Sequence, residues 1–146
     1  MLNSSSKIEA HQPKTDRQLK ALFKRKKMQG NFSFSDENSF LDWYRSQLSE
    51  CSICGISEHS LQRLIRGNLL KSKRFPENGK VKRGKARGWW LEVDRNDPLK
   101  NYSVENCSLV CYFCNNDKSD VFTLDEYKEF SKNRMKYLKN LENRLV

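Results

Sequence analysis

Leu91-Glu92-Val93-Asp94-Arg95 and, further on, Glu105-Asn106-Cys107-Ser108-Leu109-Val110-Cys111-Tyr112-Phe113-Cys114-Asn115-Asn116-Asp117-Lys118 are the residues whose patterning decides the fold. Trp89 to Val93 and Asn106 to Cys111 read as two short strands, separated by the turn-forming stretch Asn96-Asp97-Pro98-Leu99-Lys100-Asn101. That pattern predicts an antiparallel hairpin. A tight cysteine pair follows at Cys111 and Cys114, and the chain from Asn115 to Ser119 is expected to start a helix or a helical turn. Such an order can aim Asp94, at the end of the first strand, and Asn115, at the start of the helix, into one cleft.

Working outward, a second pair of the same spacing stands at Cys51-Ser52-Ile53-Cys54. Four thiolates delivered as two tight turns suit the closed tetrahedral shell of a structural Zn²⁺ ion, one per chain, with a domain-sized loop between the pairs. A disulfide reading is weaker: Met1 to Pro13 is polar, with no apolar run of the secretory type, so a reducing, cytoplasmic setting is expected. Cys107 lies in a strand-like run and reads as a small buried hydrophobe rather than a fifth ligand.

The chain has 146 residues, 36% of them apolar and 32% charged. One domain with a modest core is expected, and a metal tying distant segments together would add stability that burial does not supply. No segment approaches the roughly 20 apolar residues of a membrane span, which excludes a helical membrane protein. The net charge is +10. Much of it sits in Lys14 to Lys27 and in the stretch from Arg63 to Arg87, the latter opposed only by Glu77. So one-sided a run repels itself, and nucleic acid is the expected partner.

Periodicity sets the remaining elements. Residues 1–14 read as a disordered tail and 15–50 as a basic helical extension, with a zinc-stapled domain and a C-terminal helix over 51–146. Leu19, Leu22, Phe23 and Met28 recur at helical spacing from Thr15 or Asp16 to Met28, with Gly30 as the stop. Ser35 can cap a second helix through Leu48, burying Phe40, Leu41, Tyr44 and Leu48 in one stripe. Ser57 can cap a short helix from Glu58 to Arg66, ended by Gly67-Asn68. Residues 75–88 hold glycines and bases with almost nothing to bury, and are expected to be mobile without a ligand. Thr123-Leu124-Asp125-Glu126 is a capping box opening a last helix to Asn143, with Leu124, Tyr127, Phe130, Tyr137, Leu138 and Leu141 on its apolar face.

Asp94 and Asn115 both present hard oxygen. They are too few for a protein cage, but with waters and a phosphate oxygen they would complete an octahedral shell for Mg²⁺ or a similar ion. Taken singly, Asp94 is equally a turn residue and Asn115 a helix cap.

Asp94-Arg95, Asn106 and the Cys-x-x-Cys-Asn-Asn-x-Lys run from Cys111 to Lys118 resemble the ββα-metal core (His-Me finger) of HNH endonucleases. The likeness is to the PacI-like branch, in which Arg follows the metal-binding Asp in place of His. It extends to Cys51-Ser52-Ile53-Cys54-Gly55-Ile56-Ser57-Glu58 and Phe40-Leu41-x-Trp43-Tyr44, and so spans residues 40–130. The resemblance implies an α+β fold: a small ββα-metal core stapled by structural zinc at Cys51, Cys54, Cys111 and Cys114, flanked by helices. It also implies that Asp94 and Asn115 hold a catalytic Mg²⁺ or Mn²⁺ and that Asn106 braces the loop between the strands.

Arg95 stands where the wider family has its base. Arginine cannot take a proton near neutral pH, so its role becomes gripping a phosphate or stabilising transition-state charge. The resemblance then implies Tyr102 as the group that activates water, a role for which a phenol needs cationic neighbours; otherwise Tyr102 is an aromatic lid over the hairpin. His59 reads as a surface residue at a helix N-terminus, with a base role as the alternative.

The implied activity is hydrolysis of phosphodiesters in double-stranded DNA by one metal ion, of restriction, phage or homing type. Lys80, Lys82, Arg83, Lys85 and Arg87, with Lys24, Arg25 and Lys118, are the expected phosphate contacts. PacI-like enzymes carry a further four-cysteine zinc site near the N-terminus; residues 1–50 here contain no cysteine and offer a basic helix instead. A homodimer is the arrangement that goes with rare-site recognition in that branch. The alternative reading is a zinc-stapled DNA-binding module without catalysis, and a third is a zinc-scaffolded protein-interaction domain.

Overall fold

The computed structural model describes residues 9–70 and 88–145. Among the described residues the elements follow in chain order as α1 (Asp16–Met28), α2 (Glu37–Ser46), α3 (Glu58–Arg66), β1 (Glu92–Arg95), β2 (Cys107–Val110), α4 (Tyr112–Lys118), α5 (Leu124–Phe130) and α6 (Lys132–Glu142).

The helix starts are local capping chemistry. Thr15 and Gln18 form a reciprocal capping box at α1, and Thr123 and Glu126 form another at α5. Ser57 accepts from the Ser60 amide at α3. At α2 the cap is Asp36, which accepts from the Ser39 amide, while Ser35 bonds the Ser39 hydroxyl instead. α2 ends at Ser46, so Leu48 falls beyond the helix and is 74% exposed rather than part of the buried stripe. Trp43 takes that place in the core.

α1 buries Leu19, Leu22 and Phe23 against α2. Phe40 is fully buried at the centre of an aromatic cluster with Phe23, Phe32, Phe34 and Trp43. A ring of this size contributes about 1.5–3 kcal/mol by leaving water. Met28, the last residue of α1, is exposed. The same hydrophobic core continues from α1 and α2 through Leu61, Leu91, Val93, Leu109 and Val110 to Tyr127, Leu138 and Leu141. α1 and α2 therefore share a core with the cysteine-bearing part of the chain.

β1 and β2 pair antiparallel with Asp94 opposite Ser108 and Arg95 opposite Cys107. β1 starts three residues later than expected, because Trp89 and Trp90 lie in a turn before it, and β2 falls within its expected limits. α4 follows β2 directly, completing a ββα unit. The expected single C-terminal helix is instead two, divided at the buried Ser131. α6 packs on α3, and Phe130 and Tyr137 are exposed rather than in the core.

Residues 9–14, assigned by composition to a tail, lie against α3 and the approach to β1. Gln12 exchanges hydrogen bonds with Gln62, its carbonyl also accepts from Trp90 Nε1, and His11 contacts the buried Glu58 carboxylate at 2.8 Å. A buried glutamate needs such partners, and Glu58 takes a second from the Leu91 amide. The expectation of mobility for residues 75–88 lies, apart from Gly88, outside the described residues.

Candidate metal and nucleic-acid site

Strand and helix periodicity together build the site. Glu92 and Asp94, two residues apart on β1, share one face; Asn115 and Lys118, three apart on α4, share another. The two faces meet. Asn115 Nδ2 donates to Glu92 Oε2 at 2.7 Å, and Lys118 Nζ donates to Asp94 Oδ2 at 2.8 Å. Asp94 and Asn115 are thus each held by a side chain of the facing element rather than by one another.

Lys118 was expected among the DNA-contacting bases; the structure places it in the interior, fully buried. An ammonium carries three donors. Lys118 directs them at Asp94 Oδ2, the Arg95 carbonyl at 3.0 Å and the Ser119 carbonyl at 3.3 Å. Ser119 is a non-glycine residue with φ of 51°, a conformation that stores local strain. Burial pushes the Asp94 carboxyl above its usual range, and the hydrogen bond and charge of Lys118 oppose that rise.

Beside this ladder stands Arg95. Its Nη2 donates to Asp120 Oδ1 at 3.1 Å and its Nη1 to the Lys100 carbonyl at 3.3 Å. The guanidinium lies 5.1 Å from the Tyr102 ring centroid. Among the described residues, Arg95 Nε is buried with no hydrogen-bond partner.

Tyr102 is fixed from the N-terminal region: its amide donates to the Asn31 carbonyl and its carbonyl accepts from the Ser33 amide, at 2.9 and 2.7 Å. Lys26 Nζ donates to its hydroxyl at 3.0 Å. Asn106 spans the turn between the strands, accepting from the Asp97 amide and donating to the carbonyls of Asp97 and Asn101. All three side-chain bonds of Asn106 therefore go to the segment that presents Tyr102.

His59 is not among these neighbours. It bonds the Glu9 carbonyl at 3.0 Å, and its ring lies 6.0 Å from that of His11. Lys24 and Arg25 are exposed on α1. Lys80, Lys82, Arg83, Lys85 and Arg87 lie outside the described residues.

Behind the site, the sulfur atoms of Cys51, Cys54, Cys111 and Cys114 lie within 4.8 Å of one another. Four sulfurs about 2.3 Å from a tetrahedral zinc ion stand about 3.8 Å apart, and the Cys54 and Cys111 sulfurs are 3.9 Å apart. Backbone amides point at two of them: Ile53 N at Cys51 Sγ and Cys114 N at Cys111 Sγ, each at 3.4 Å. The first pair is tied to β2 by the Ser52 amide on the Leu109 carbonyl. Cys111 also caps α4, so the sulfur cluster sets where the helix bearing Asn115 begins.

Hydrogen bonds from Cys111, Cys114 and Cys54 hold the Cys51 thiol far below its ordinary range, whereas Cys114 is pushed far above it by Cys111, Cys51 and Cys54. Four thiolates this close together repel one another. A dication removes that conflict, and this donor set could hold a zinc ion. Cys107 stands apart from the cluster; burial pushes its thiol up to about 12.

Two residues here, Glu92 and Lys26, carry no expectation from the sequence, and Lys118 carries a different one. Glu92 was legible in principle, since Glu-x-Asp on a strand puts two carboxylates on one face. The interior role of Lys118 was legible less directly, from its one-turn spacing to Asn115. Lys26 had no local signal, because its partner is Tyr102, far along the chain.

No protein-family model matches the chain, and no curated protein matches it. Among solved structures, the chain is similar to the rare-cutting HNH restriction endonuclease PacI, for which a mechanism of DNA perturbation is known. The two superpose with a TM-score of 0.60 and 23% sequence identity over 94% of this chain and 88% of that one. The chain has an HNH-type fold, mixed helix and small two-stranded sheet with a four-cysteine cluster at its side. Among the described residues, no helix is long and apolar enough to cross a membrane.

Proposed function

We propose that the protein is a metal-dependent DNA endonuclease that hydrolyses phosphodiester bonds at the β1–α4 face. The observation that carries this reading is the meeting of Asp94 and Asn115 elements on that face of an HNH-type fold.

The donor set fits a hard divalent ion such as Mg²⁺ or Mn²⁺. Asn115 gives its amide nitrogen to Glu92, which leaves its oxygen free to face a cation. Asp94 keeps one carboxylate oxygen away from Lys118. When bound, the ion would stabilise charge on the phosphoryl group and on the leaving 3′ oxygen. Arg95 binds a non-bridging phosphate oxygen through its guanidinium. Tyr102 receives the proton of the attacking water. Asn106 holds the turn that carries Tyr102, and zinc at the four cysteines holds α4 against the hairpin.

Exposed Lys24 and Arg25, together with Lys80, Lys82, Arg83, Lys85 and Arg87, supply phosphate contacts without sequence readout. Lys118 is dropped from that set because it is buried.

One observation favours a second reading, a DNA-binding module without catalysis. Asp94 is already paired with a buried ammonium, which competes with a metal ion for the same carboxylate.

Supercoiled plasmid incubated with Mg²⁺ or Mn²⁺ separates the two. The parent should relax or linearise it, and Asp94→Ala should lose at least about a hundredfold in rate. Retarded but uncut plasmid with both proteins would establish the second reading instead.

A further inference from the structure

Tyr102 owes its placement to the N-terminal region rather than to the ββα unit. Residues 31–33 bridge to it in parallel and take both of its backbone hydrogen bonds. Asn101, its neighbour, donates to Ser33 Oγ at 3.1 Å. The Phe32 ring packs 6.0 Å from the Tyr102 ring. From the last turns of α1, Lys26 reaches the same residue: Nζ lies 3.0 Å from the phenolic oxygen and 4.1 Å from the ring centroid.

Lys26 lies on a helix whose other bases Lys24, Arg25 and Lys27 are exposed, yet it is itself half-buried. It is therefore the base of this run that is turned inward, onto the hydroxyl. Among the described residues, the charged groups that face Tyr102 are Lys26 from α1 and Arg95 from β1, the latter itself paired with Asp120. Among the described residues, no carboxylate hydrogen-bonds to the phenolic oxygen.

We infer that Lys26 is the positioning residue for Tyr102: it fixes the orientation of the phenolic oxygen and stabilises negative charge there, so that the basic helix α1 completes the active site. An ammonium has donors and no acceptor, so it occupies a lone pair of the oxygen and leaves the hydroxyl's own proton to point elsewhere. A charge-assisted bond of this kind is stronger with the anionic oxygen than with the neutral one. Tyr102 first gives its own hydroxyl proton to solvent, and in the reaction its phenolate oxygen takes a proton from water and becomes a phenol again. The water oxygen bonds to phosphorus, the bond from phosphorus to the 3′ oxygen breaks, and solvent protonates the departing 3′ alkoxide. Lys26 remains an ammonium throughout and acts only through Tyr102.

This inference rests on the proposed role of Tyr102, and a double-mutant cycle distinguishes the failure of one from that of the other. Single-turnover and steady-state cleavage of plasmid are measured for the parent, Lys26→Met, Lys26→Arg, Tyr102→Phe and the Lys26→Met/Tyr102→Phe pair, with helix content checked by circular dichroism. Lys26→Met should lower kcat roughly ten- to a hundredfold with KM near that of the parent, and Lys26→Arg should restore most of the loss. In the Tyr102→Phe background, Lys26→Met should change nothing further. A rise in KM alone, or an equal loss in both backgrounds, would show that Lys26 is a phosphate contact acting independently and would overturn the inference while leaving Tyr102 in place. Full activity in Tyr102→Phe, or no cleavage by the parent, would remove the underlying reading and this inference with it.

Discussion

The Lys118 ammonium lies 2.8 Å from the Asp94 carboxylate with its own side chain fully shielded from solvent, so the sole carboxylate proposed as a metal ligand is clamped by an interior cation. Two further bonds, to the carbonyls of Arg95 and Ser119, make Lys118 the pin that joins the end of β1 to the end of α4. The same residue thus determines fold and site together.

Removing one member of a buried ion pair leaves the other charged and unpaired, which costs about 3–5 kcal/mol. Lys118→Met should lose stability on that scale at neutral pH, read from urea denaturation midpoints. Asp94→Leu combined with Lys118→Met should recover much of the loss, since no uncompensated charge remains. If the two single substitutions add simply in the double variant, Asp94 and Lys118 are not coupled in solution.

Zinc should be held tightly at about one ion per chain, measured by elemental analysis after dialysis. Chelation, or replacement of both Cys51 and Cys54 by serine, should release it and lower the melting temperature. Zinc retained at the same ratio by the serine variant would place the ion elsewhere.

Asn106→Ala deletes the three hydrogen bonds that hold the turn at Asp97 and Asn101. A loss of about 1–3 kcal/mol is expected from the groups left unsatisfied. Amide hydrogen exchange should accelerate in residues 97–102 more than in α1 or α3. Uniform acceleration across the chain would mean that the turn is not a separate unit.

Two helix caps set an acid-side dependence. Asp36 is held below its ordinary value of 3.8 chiefly by the Ser39 amide, and Glu126 below 4.5 chiefly by the Thr123 amide. A carboxylate depressed in the folded state stabilises it above the unfolded-state value, and that contribution fades as pH falls through the folded-state value. The advantage of the parent over Asp36→Asn and Glu126→Gln should therefore be constant near neutrality and shrink below about pH 4.5. Thermal melts across this range provide the measurement; a gap that widens on acidification would contradict the sign.

Much of the architecture was readable from short stretches. Ser57, and Thr123 with Glu126, announced two helix starts, and the pairs at Cys51 and Cys111 announced the sulfur cluster. Misreadings fell where local pattern competed with tertiary demand. Leu48, Phe130 and Tyr137 keep helical spacing yet are exposed, because α2 stops early and the C-terminal helix divides at Ser131. Lys118 looked like one more base of a basic protein; only the packing of α4 on β1 turns it inward.

The sequence by itself determined the order of strands, cysteine pairs and helices, because capping, turn formation and hydrophobic period act over a few residues. Tertiary structure alone decided which side chains serve one another: Lys118 with Asp94, Asn115 with Glu92, Lys26 with Tyr102. Those pairs join residues far apart in the chain, and no local pattern encodes them. Their contact depends on the shared core that seats α1, β1 and α4 in one frame.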